Sequence, residues 1–143
     1  MISLNNVVVA LILNEKNEFL LQKKDLEYSW FPGKWCLFGG KIEDMENAEE
    51  AIVRELREEL GIDIERVNLK FQKKFNYENV RADGLAKRCG EQYCYTYRFQ
   101  GDVSDIKLRE GCGFAFFDYS EIKYHPVAEH DLVVIKDYFK EKI

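Results

Sequence analysis

The sequence predicts an α/β fold in which helices cover both faces of a mixed β-sheet. An apolar run from Val7 to Leu13 is typical of a buried strand, and aromatic residues alternate with other residues in two later segments. A stretch between Asn47 and Gly61 has helical periodicity instead. Because strand-like and helix-like segments interleave irregularly along the chain, we expect one sheet with helices packed on each side.

The first forty residues predict a β-hairpin, a loop and a short strand. The predicted elements are, in order, a strand from Val7 to Leu13, a polar turn over 14–18, a strand from Phe19 to Lys23, a loop over 25–34 and a short strand from Trp35 to Phe38 that ends at Gly39 and Gly40. Turn-forming Pro and Gly residues in the loop separate the hairpin from the short strand.

The remainder predicts two helices and three further strands. The first helix begins near Asn47 and ends at Gly61, because apolar residues recur along one stripe and a glycine commonly follows a helix. Alternating aromatic residues at 71–77 and 93–99 predict two long strands, joined by a polar loop from Asn79 to Gly90. Another strand is predicted around 114–116, and the spacing of apolar residues predicts a helix over 127–140 that covers the sheet.

Length and composition predict a single domain over residues 1–143 that has enough apolar residues for a core. The net charge of −5 and the lack of a basic stripe exclude a non-specific nucleic-acid binder. The apolar run near the N-terminus is too short for a membrane span, and no basic segment precedes it, so we expect a cytoplasmic protein. The four cysteines are predicted to be free thiols rather than zinc ligands, because no metal-binding spacing is present.

Three carboxylates are the most informative feature of the predicted first helix. Glu55, Glu58 and Glu59 are spaced at i, i+3 and i+4, which brings their side chains to one face. Like charges at this spacing destabilise a helix, so a compensating charge is expected. Mg²⁺ and Mn²⁺ prefer such oxygen ligands, and we therefore expect one of them as the cofactor.

The stretch from Gly40 to Ile62 resembles the Nudix box, the signature of the Nudix hydrolases. The box has a defined order of glycine, glutamate, arginine and apolar positions, and the chain meets all of them at Gly40, Glu46, Arg54, Glu55, Leu56, Glu58, Glu59, Gly61 and Ile62. The resemblance implies the Nudix fold, an α/β/α sandwich with a mixed sheet. It also implies hydrolysis of a nucleoside diphosphate linked to another group, with a small-molecule nucleotide as substrate. We expect the protein to be a monomer or a homodimer.

The resemblance implies a role for each position of the box. Glu55, Glu58 and Glu59 match the family's catalytic metal ligands, and the backbone carbonyl of Gly39 matches a further ligand. The structural positions of the motif are Gly40, Glu46, Arg54 and Gly61, with Arg54 expected to pair with Glu46 and hold the loop against the helix.

Residues outside the box are expected to complete the site. Glu110 resembles a late glutamate that lies near the metals in the oxidised-nucleotide branch of the family, where it acts as a base or metal ligand, and Glu91 is the competing candidate. Lys24 and Lys41 are candidate phosphate-binding residues, because each lies at a strand end or glycine turn that leads towards the site. Trp35 is a candidate for base stacking, as is Phe31, although both residue types commonly anchor cores and loops.

The substrate class is predicted from the residues that precede the box. Phe38-Gly39-Gly40-Lys41 is similar to the oxidised-nucleotide-sanitising, MutT-like branch, which favours a nucleoside triphosphate cleaved to a nucleoside monophosphate and pyrophosphate. NDP-sugars, ADP-ribose and dinucleoside polyphosphates stay open as alternatives. A non-catalytic nucleotide-binding or regulatory module is the alternative from another class, although no box glutamate is substituted.

Overall fold

The structure is a computed structural model that describes residues 2–109 and 111–140. Within these ranges, eight strands form one sheet and two α-helices pack against it. The strands are β1 (Ile2–Leu4), β2 (Val7–Leu13), β3 (Phe19–Lys23), β4 (Trp35–Cys36), β5 (Phe38–Lys41), β6 (Leu69–Val80), β7 (Lys87–Arg98) and β8 (Gly113–Phe117). The helices are α1 (Ala48–Leu60) and α2 (Glu129–Lys140), and three short 3₁₀ helices cover Arg66–Asn68, Val103–Asp105 and Tyr119–Tyr124.

The sheet is mixed, as predicted. Strand β7 pairs in parallel with both β1 and β2, and it pairs antiparallel with β6 from Lys87 to Tyr97. Strand β2 also pairs antiparallel with β5 and β3, and β3 continues the sheet through β4 and β8. Strand β2 therefore joins the long β6–β7 hairpin to the rest of the sheet.

Alternate residues of β2 point to opposite faces of the sheet, and each face has its own core. Val8 and Ala10 pack in a cluster with Ile52 and Leu56 of α1. The neighbouring residues of β2 pack in a second cluster with Ile135 of α2. Ile52, Leu56 and Ile135 are fully buried, which contributes about 1.5–3 kcal/mol each. The predicted arrangement of helices on both faces is confirmed. Neither helix is long and apolar enough to cross a membrane.

Helix α1 begins and ends where the sequence predicts, because both ends are capped. The Asn47 side chain accepts a hydrogen bond from the Glu50 backbone N–H, and the Glu50 carboxylate accepts one from the Asn47 N–H. This capping box satisfies two backbone donors that a helix start leaves unpaired. Gly61 closes the helix in the left-handed conformation, with φ of 64°, and donates to the carbonyl of Arg57.

The predicted short strand from Trp35 to Phe38 is wrong in its bounds. It is two strands, and the second, β5, includes Gly39 and Gly40 rather than ending before them. Gly39 and Gly40 are opposite Val9 and Val8 of β2, so the glycines belong to the sheet. A Cβ on Gly39 would lie 1.9 Å from the carbonyl oxygen of Val8, and only glycine allows the two backbones this approach.

Two other boundaries differ from the prediction, and one strand was not predicted. The connection predicted over Asn79 to Gly90 is only the segment 81–86, because both long strands extend further than their aromatic pattern indicated. Strand β1, which the sequence did not predict, pairs with the start of β7 and extends the sheet there. Helix α2 begins at Glu129 rather than near Val127, because Val127 forms an isolated bridge with Trp35.

Candidate active site

A cleft of about 310 Å³ lies beside the end of α1 and extends across the edge of β5 towards α2 and the β6–β7 hairpin. It is lined by side chains of both charge signs and by several aromatic rings. Its lining residues are Asn5, Val7, Val8, Val9, Gln22, Lys24, Tyr28, Phe31, Cys36, Leu37, Gly39, Gly40, Lys41, Glu55, Glu59, Tyr77, Asn79, Arg88, His130 and Asp131. We refer to this feature as the cleft.

Two of the three box carboxylates line the cleft. The side chain of Glu59 is almost fully buried, and its Oε2 accepts a hydrogen bond of 3.0 Å from the Gly39 backbone N–H. Glu55 lies against Gly40, where an added Cβ would be 2.5 Å from the carboxylate oxygen Oε1. The glycines of β5 therefore let the backbone approach both carboxylates without a side chain between them.

Glu58, the third box carboxylate, points to solvent. Its side chain is 60% exposed, it does not line the cleft, and its Oε2 lies 3.4 Å from Nη1 of Arg54. The helical spacing therefore places the three carboxylates on one side of α1 but at different depths. Within residues 2–109 and 111–140, no three His, Cys, Asp or Glu side chains are grouped closely enough to hold a metal ion.

Arg54 holds the loop before α1 against the helix. Its Nε and Nη2 atoms donate to the two carboxylate oxygens of Glu46, at 2.6 and 2.9 Å. Nη2 also donates to the backbone carbonyl of Lys41 at 3.0 Å, and Nη1 donates to Glu55 at 2.9 Å. Such two-point arginine–carboxylate contacts fix orientation as well as charge.

The electrostatics of this cluster follow from these contacts. Hydrogen bonds from Arg54 hold the pKa of Glu46 at about 2, and a backbone hydrogen bond from Glu43 acts in the same direction. The same contacts raise the pKa of the Arg54 guanidinium, chiefly through Glu46 and then through Glu55. Glu46 is therefore an anion at neutral pH, and Arg54 offsets part of the negative charge beside the cleft.

Both predicted phosphate-binding lysines lie at the cleft. Lys24 follows β3 and lines the cleft, with its Nζ 3.5 Å from Oε1 of Gln22 and 4.7 Å from the ring centre of Tyr28. Lys23 points elsewhere, towards the ring of Trp35. Lys41 ends β5, and its exposed side chain lines the same cleft.

The two aromatic candidates are placed differently. Trp35 packs edge-to-face against Phe117, with 4.9 Å between the ring centres, and belongs to the core on the α2 face. It does not line the cleft. Phe31 does line the cleft, and its ring centre lies 4.9 Å from that of His130. The position of Trp35 therefore favours its role as a core anchor.

Of the two candidate bases, only one can be located. Glu110 lies outside the described residues. Glu91 lies within β7, and it does not line the cleft. It forms an ion pair of 2.8 Å with Lys74, and this contact lowers the pKa of Glu91.

The far end of the cleft contains polar side chains that the sequence did not single out. Asp131 is buried, and its two oxygens accept hydrogen bonds from the Leu37 N–H at 3.0 Å and from Nε2 of Gln92 at 3.1 Å. Arg88 of β7 lies over the ring of Trp30, with 4.1 Å between the guanidinium carbon and the ring centre. No local motif marks these residues, because strand pairing and helix docking bring them together from distant parts of the chain.

Comparison with known proteins places this geometry in a family. A family model described as the NUDIX domain matches residues 4–138. Nucleoside triphosphatase NudI of Escherichia coli O81 (strain ED1a) is 33% identical over 132 residues, which cover 90% of this chain and 88% of the relative. NudI of Klebsiella pneumoniae (strain 342) is 49% identical over 55 residues, or 38% of each chain.

Solved structures share the fold. The MutT protein from Methanosarcina mazei Go1 has a TM-score of 0.77 and 24% identity, covering 98% of this chain and 95% of that chain. The NUDIX domain of Shewanella oneidensis NrtR, complexed with ADP ribose, has a TM-score of 0.75 and 18% identity, covering 99% and 90%. Since the family model spans nearly the whole chain and the complete box runs from β5 through the following loop and along α1 beside the cleft, the chain belongs to the NUDIX domain family.

Proposed function

We propose that this protein is a metal-dependent pyrophosphohydrolase that cleaves nucleoside triphosphates, oxidised ones included, to a nucleoside monophosphate and pyrophosphate. The observation that carries the proposal is one cleft lined by both Glu55 and Glu59 and by Lys24 and Lys41. Carboxylates suit a divalent cation, and amines suit the phosphates of the same substrate. The relatives named nucleoside triphosphatase support the choice of a triphosphate.

The groups that we propose as ligands for Mg²⁺ or Mn²⁺ are the carboxylates of Glu55, Glu58 and Glu59 and the carbonyl of Gly39. All of them offer oxygen atoms, which hard cations prefer. A bound cation would supply positive charge where phosphate charge accumulates and would activate a water for attack. To bind the cation, Glu58 would have to break only its exposed 3.4 Å contact with Arg54, and exposed ion pairs contribute little stability.

The remaining residues of the site bind and orient. Lys24 and Lys41 are proposed to bind the phosphates and to offset the negative charge that repels an attacking water. Arg54 is a positioning residue, because it bonds to Glu55, to Glu46 and to the carbonyl of Lys41 at the same time. It thereby holds a proposed cation ligand and a proposed phosphate-binding residue in fixed relative positions.

We propose Glu110 rather than Glu91 as the base that takes a proton from the water. The lowered pKa of Glu91, caused by Lys74, makes it a weaker base, and its side chain is outside the cleft. Two residues near position 110 in the sequence support the choice, because each is bonded to a residue on or beside a cleft element. The Arg109 N–H donates to the carbonyl of Glu59 at 3.2 Å, and the Cys112 N–H donates to the carbonyl of Lys23 at 2.8 Å.

A substrate screen tests the function. Purified protein is incubated with nucleoside triphosphates and their oxidised forms, NDP-sugars, ADP-ribose and dinucleoside polyphosphates, with Mg²⁺ or Mn²⁺ and with excess chelator. We expect triphosphates to give monophosphate and pyrophosphate, and no turnover in the chelator. Hydrolysis in ¹⁸O-labelled water should place the label on a single phosphorus, as direct attack by water requires.

Each other outcome of the screen selects an alternative. Turnover confined to NDP-sugars, ADP-ribose or dinucleoside polyphosphates would replace the proposed substrate class. Tight nucleotide binding without turnover would favour a non-catalytic binding module, and full turnover in chelator would contradict the proposed chemistry. A cytoplasmic location and a monomeric or homodimeric state stay predictions, which fractionation and light scattering test.

A further inference from the structure

Two residues of the β6–β7 hairpin form one wall at the far end of the cleft. Asn79 of β6 and Arg88 of β7 are directly opposite each other in the antiparallel register, and opposing residues of such a pair point to the same face. Both residues line the cleft, together with Tyr77. The same cleft is lined by Gly39, Glu55 and Glu59 of the proposed cation ligands, so a nucleotide bound by its phosphates there has this wall within the same cavity.

This end of the cleft contains buried polar atoms without a hydrogen-bond partner. Asn79 is 7% exposed and lines the cleft beside Arg88 and His130. Among the residues within 2–109 and 111–140, the Nε atom of Arg88 and the Nδ1 atom of His130 are buried without a partner. Buried polar groups are normally paired, so two unpaired atoms at one end of a cleft indicate that a polar ligand completes them.

The position of Arg88 is fixed, which makes it suitable for discrimination. Its guanidinium lies 4.1 Å from the ring centre of Trp30 and 5.7 Å from that of Phe31. A guanidinium held against aromatic faces loses little further freedom when it binds a ligand. The loop that carries both rings is tied to the hairpin by a hydrogen bond of 2.8 Å from the Ala82 N–H to the Ser29 carbonyl.

The chemistry of the two side chains defines which ligand edge fits. An asparagine amide offers one donor and one acceptor group, so it can pair with a carbonyl beside a ring N–H or with an amino group beside a ring nitrogen. A guanidinium only donates. Arg88, next to Asn79, therefore favours a ligand with a carbonyl oxygen at this point. It disfavours a ligand with an amino group there, because the amino hydrogens would face the N–H donors of the guanidinium.

We propose that Asn79 and Arg88 read the base of the nucleotide, an inference that rests on the function proposed above. They select bases with a carbonyl oxygen at the position where adenine and cytosine have an amino group. Uracil, thymine, guanine and hypoxanthine have such a carbonyl next to a ring N–H. The two residues are specificity-determining residues and take no part in breaking the phosphoanhydride bond.

Two substrate pairs isolate this contact. ITP and ATP differ in the carbonyl or amino group at C6, and UTP and CTP differ in the same way at C4. We expect kcat/KM to favour ITP over ATP, and UTP over CTP, by roughly 10- to 100-fold, the range for one correctly paired base edge. A ratio near one for both pairs in the unaltered protein would overturn the proposal.

Three variants assign the discrimination to the wall. Arg88→Gln removes the donor-only group and should bring both ratios to within about threefold of unity, because a glutamine amide also accepts. Asn79→Asp leaves only acceptors and should likewise lower both ratios. Lys87→Gln is the matched control, since it removes the same charge from the residue next to Arg88. The Lys87 amine pairs with Glu78 and does not line the cleft. This variant should leave both ratios unchanged. Ratios that stay high in Arg88→Gln and Asn79→Asp would exclude these two residues as readers.

The kcat/KM ratios distinguish a loss of base reading from a loss of folded protein, and they allow this proposal to fail independently of the proposed function. A general loss of folded protein lowers the rates for both members of a pair and leaves their ratio unchanged, and Arg88→Lys provides a milder variant that keeps the charge. If no nucleotide is hydrolysed, the proposed function fails, and dissociation constants for ITP and ATP measured with Ca²⁺ still decide base reading. Hydrolysis without discrimination rejects the base-reading proposal alone.

Discussion

Replacing Glu58 by glutamine should separate catalysis from folding more cleanly than any other change in the box. Among the described residues, the contact recorded for Glu58 is the exposed one with Arg54 at 3.4 Å. Exposed ion pairs contribute about 0.2–1 kcal/mol, and Arg54 keeps its two bonds to Glu46 in the variant. We therefore expect the melting temperature to change by no more than about 2–4 °C for a chain of this length.

The effect on turnover should be far larger. If Glu58 is a cation ligand, the variant loses one negative charge from the set that holds the ion. A rate loss of roughly 10²- to 10³-fold corresponds to about 2.7–4.1 kcal/mol in the barrier, which is within the range for metal-ion catalysis. Part of this loss should be recovered at higher Mg²⁺ concentration, because the variant binds the cation more weakly.

The assay measures initial rates against Mg²⁺ concentration for the unaltered protein, Glu58→Gln and a control variant. Glu49→Gln is a suitable control, since Glu49 is also an exposed carboxylate on α1 and pairs with Arg66, outside the cleft. It should keep turnover within about twofold and show an unaltered Mg²⁺ dependence. Turnover of Glu58→Gln within threefold of normal, with the same Mg²⁺ dependence, would refute the proposed role of Glu58.

Two further predictions concern stability. Glu46 has a pKa of about 2 in the folded protein against an ordinary value of 4.5, so its pairing with Arg54 stabilises the fold above pH 4.5 and is lost as pH falls towards 2. Denaturant titrations of Glu46→Gln at several pH values in this window should show a weaker loss of stability on acidification than the unaltered protein, and an equal loss would contradict the assignment. Asp131→Leu should lower the free energy of unfolding by roughly 2–6 kcal/mol, because Leu37 and Gln92 each lose an acceptor worth about 1–3 kcal/mol. Asp131→Asn keeps one acceptor oxygen and should cost about half as much, so equal stability of both variants would show that these bonds are not the cause.

The parts of the fold that depend on local chemistry were predicted from the sequence. The cap residues Asn47 and Gly61 fix the ends of α1, and both act through hydrogen bonds within a few residues of the helix. The pairing of Arg54, within α1, with Glu46, in the loop before it, was likewise predicted, because the resemblance to the box implies it. A resemblance that defines nine positions within the 23 residues from Gly40 to Ile62 therefore predicts a contact between two of those positions.

The depth of the carboxylates was not predictable in the same way. Helical spacing places Glu55, Glu58 and Glu59 on one side of α1, yet Glu59 is buried and Glu58 is mostly exposed. The difference arises because β5 covers only part of that side, with the Gly39 N–H close enough to bond to Glu59. Periodicity predicts the direction of a side chain from its helix, whereas its burial depends on which strand packs there.

The wall of Asn79 and Arg88 shows why the rest of the site was missed. The sequence predicts a polar loop from Asn79 to Gly90, since the aromatic alternation stops before it. In the structure the two strands continue because β1 pairs with the start of β7 and because the Arg81 N–H donates to the Ala86 carbonyl, which closes a short connection. Because the strand pairing continues, Asn79 and Arg88, which are nine positions apart in the sequence, are neighbours on one wall of the cleft. Polar residues in a paired strand that faces a cleft are more informative about a ligand than the same residues in a loop, because the strand holds them in fixed positions at the surface of the cavity.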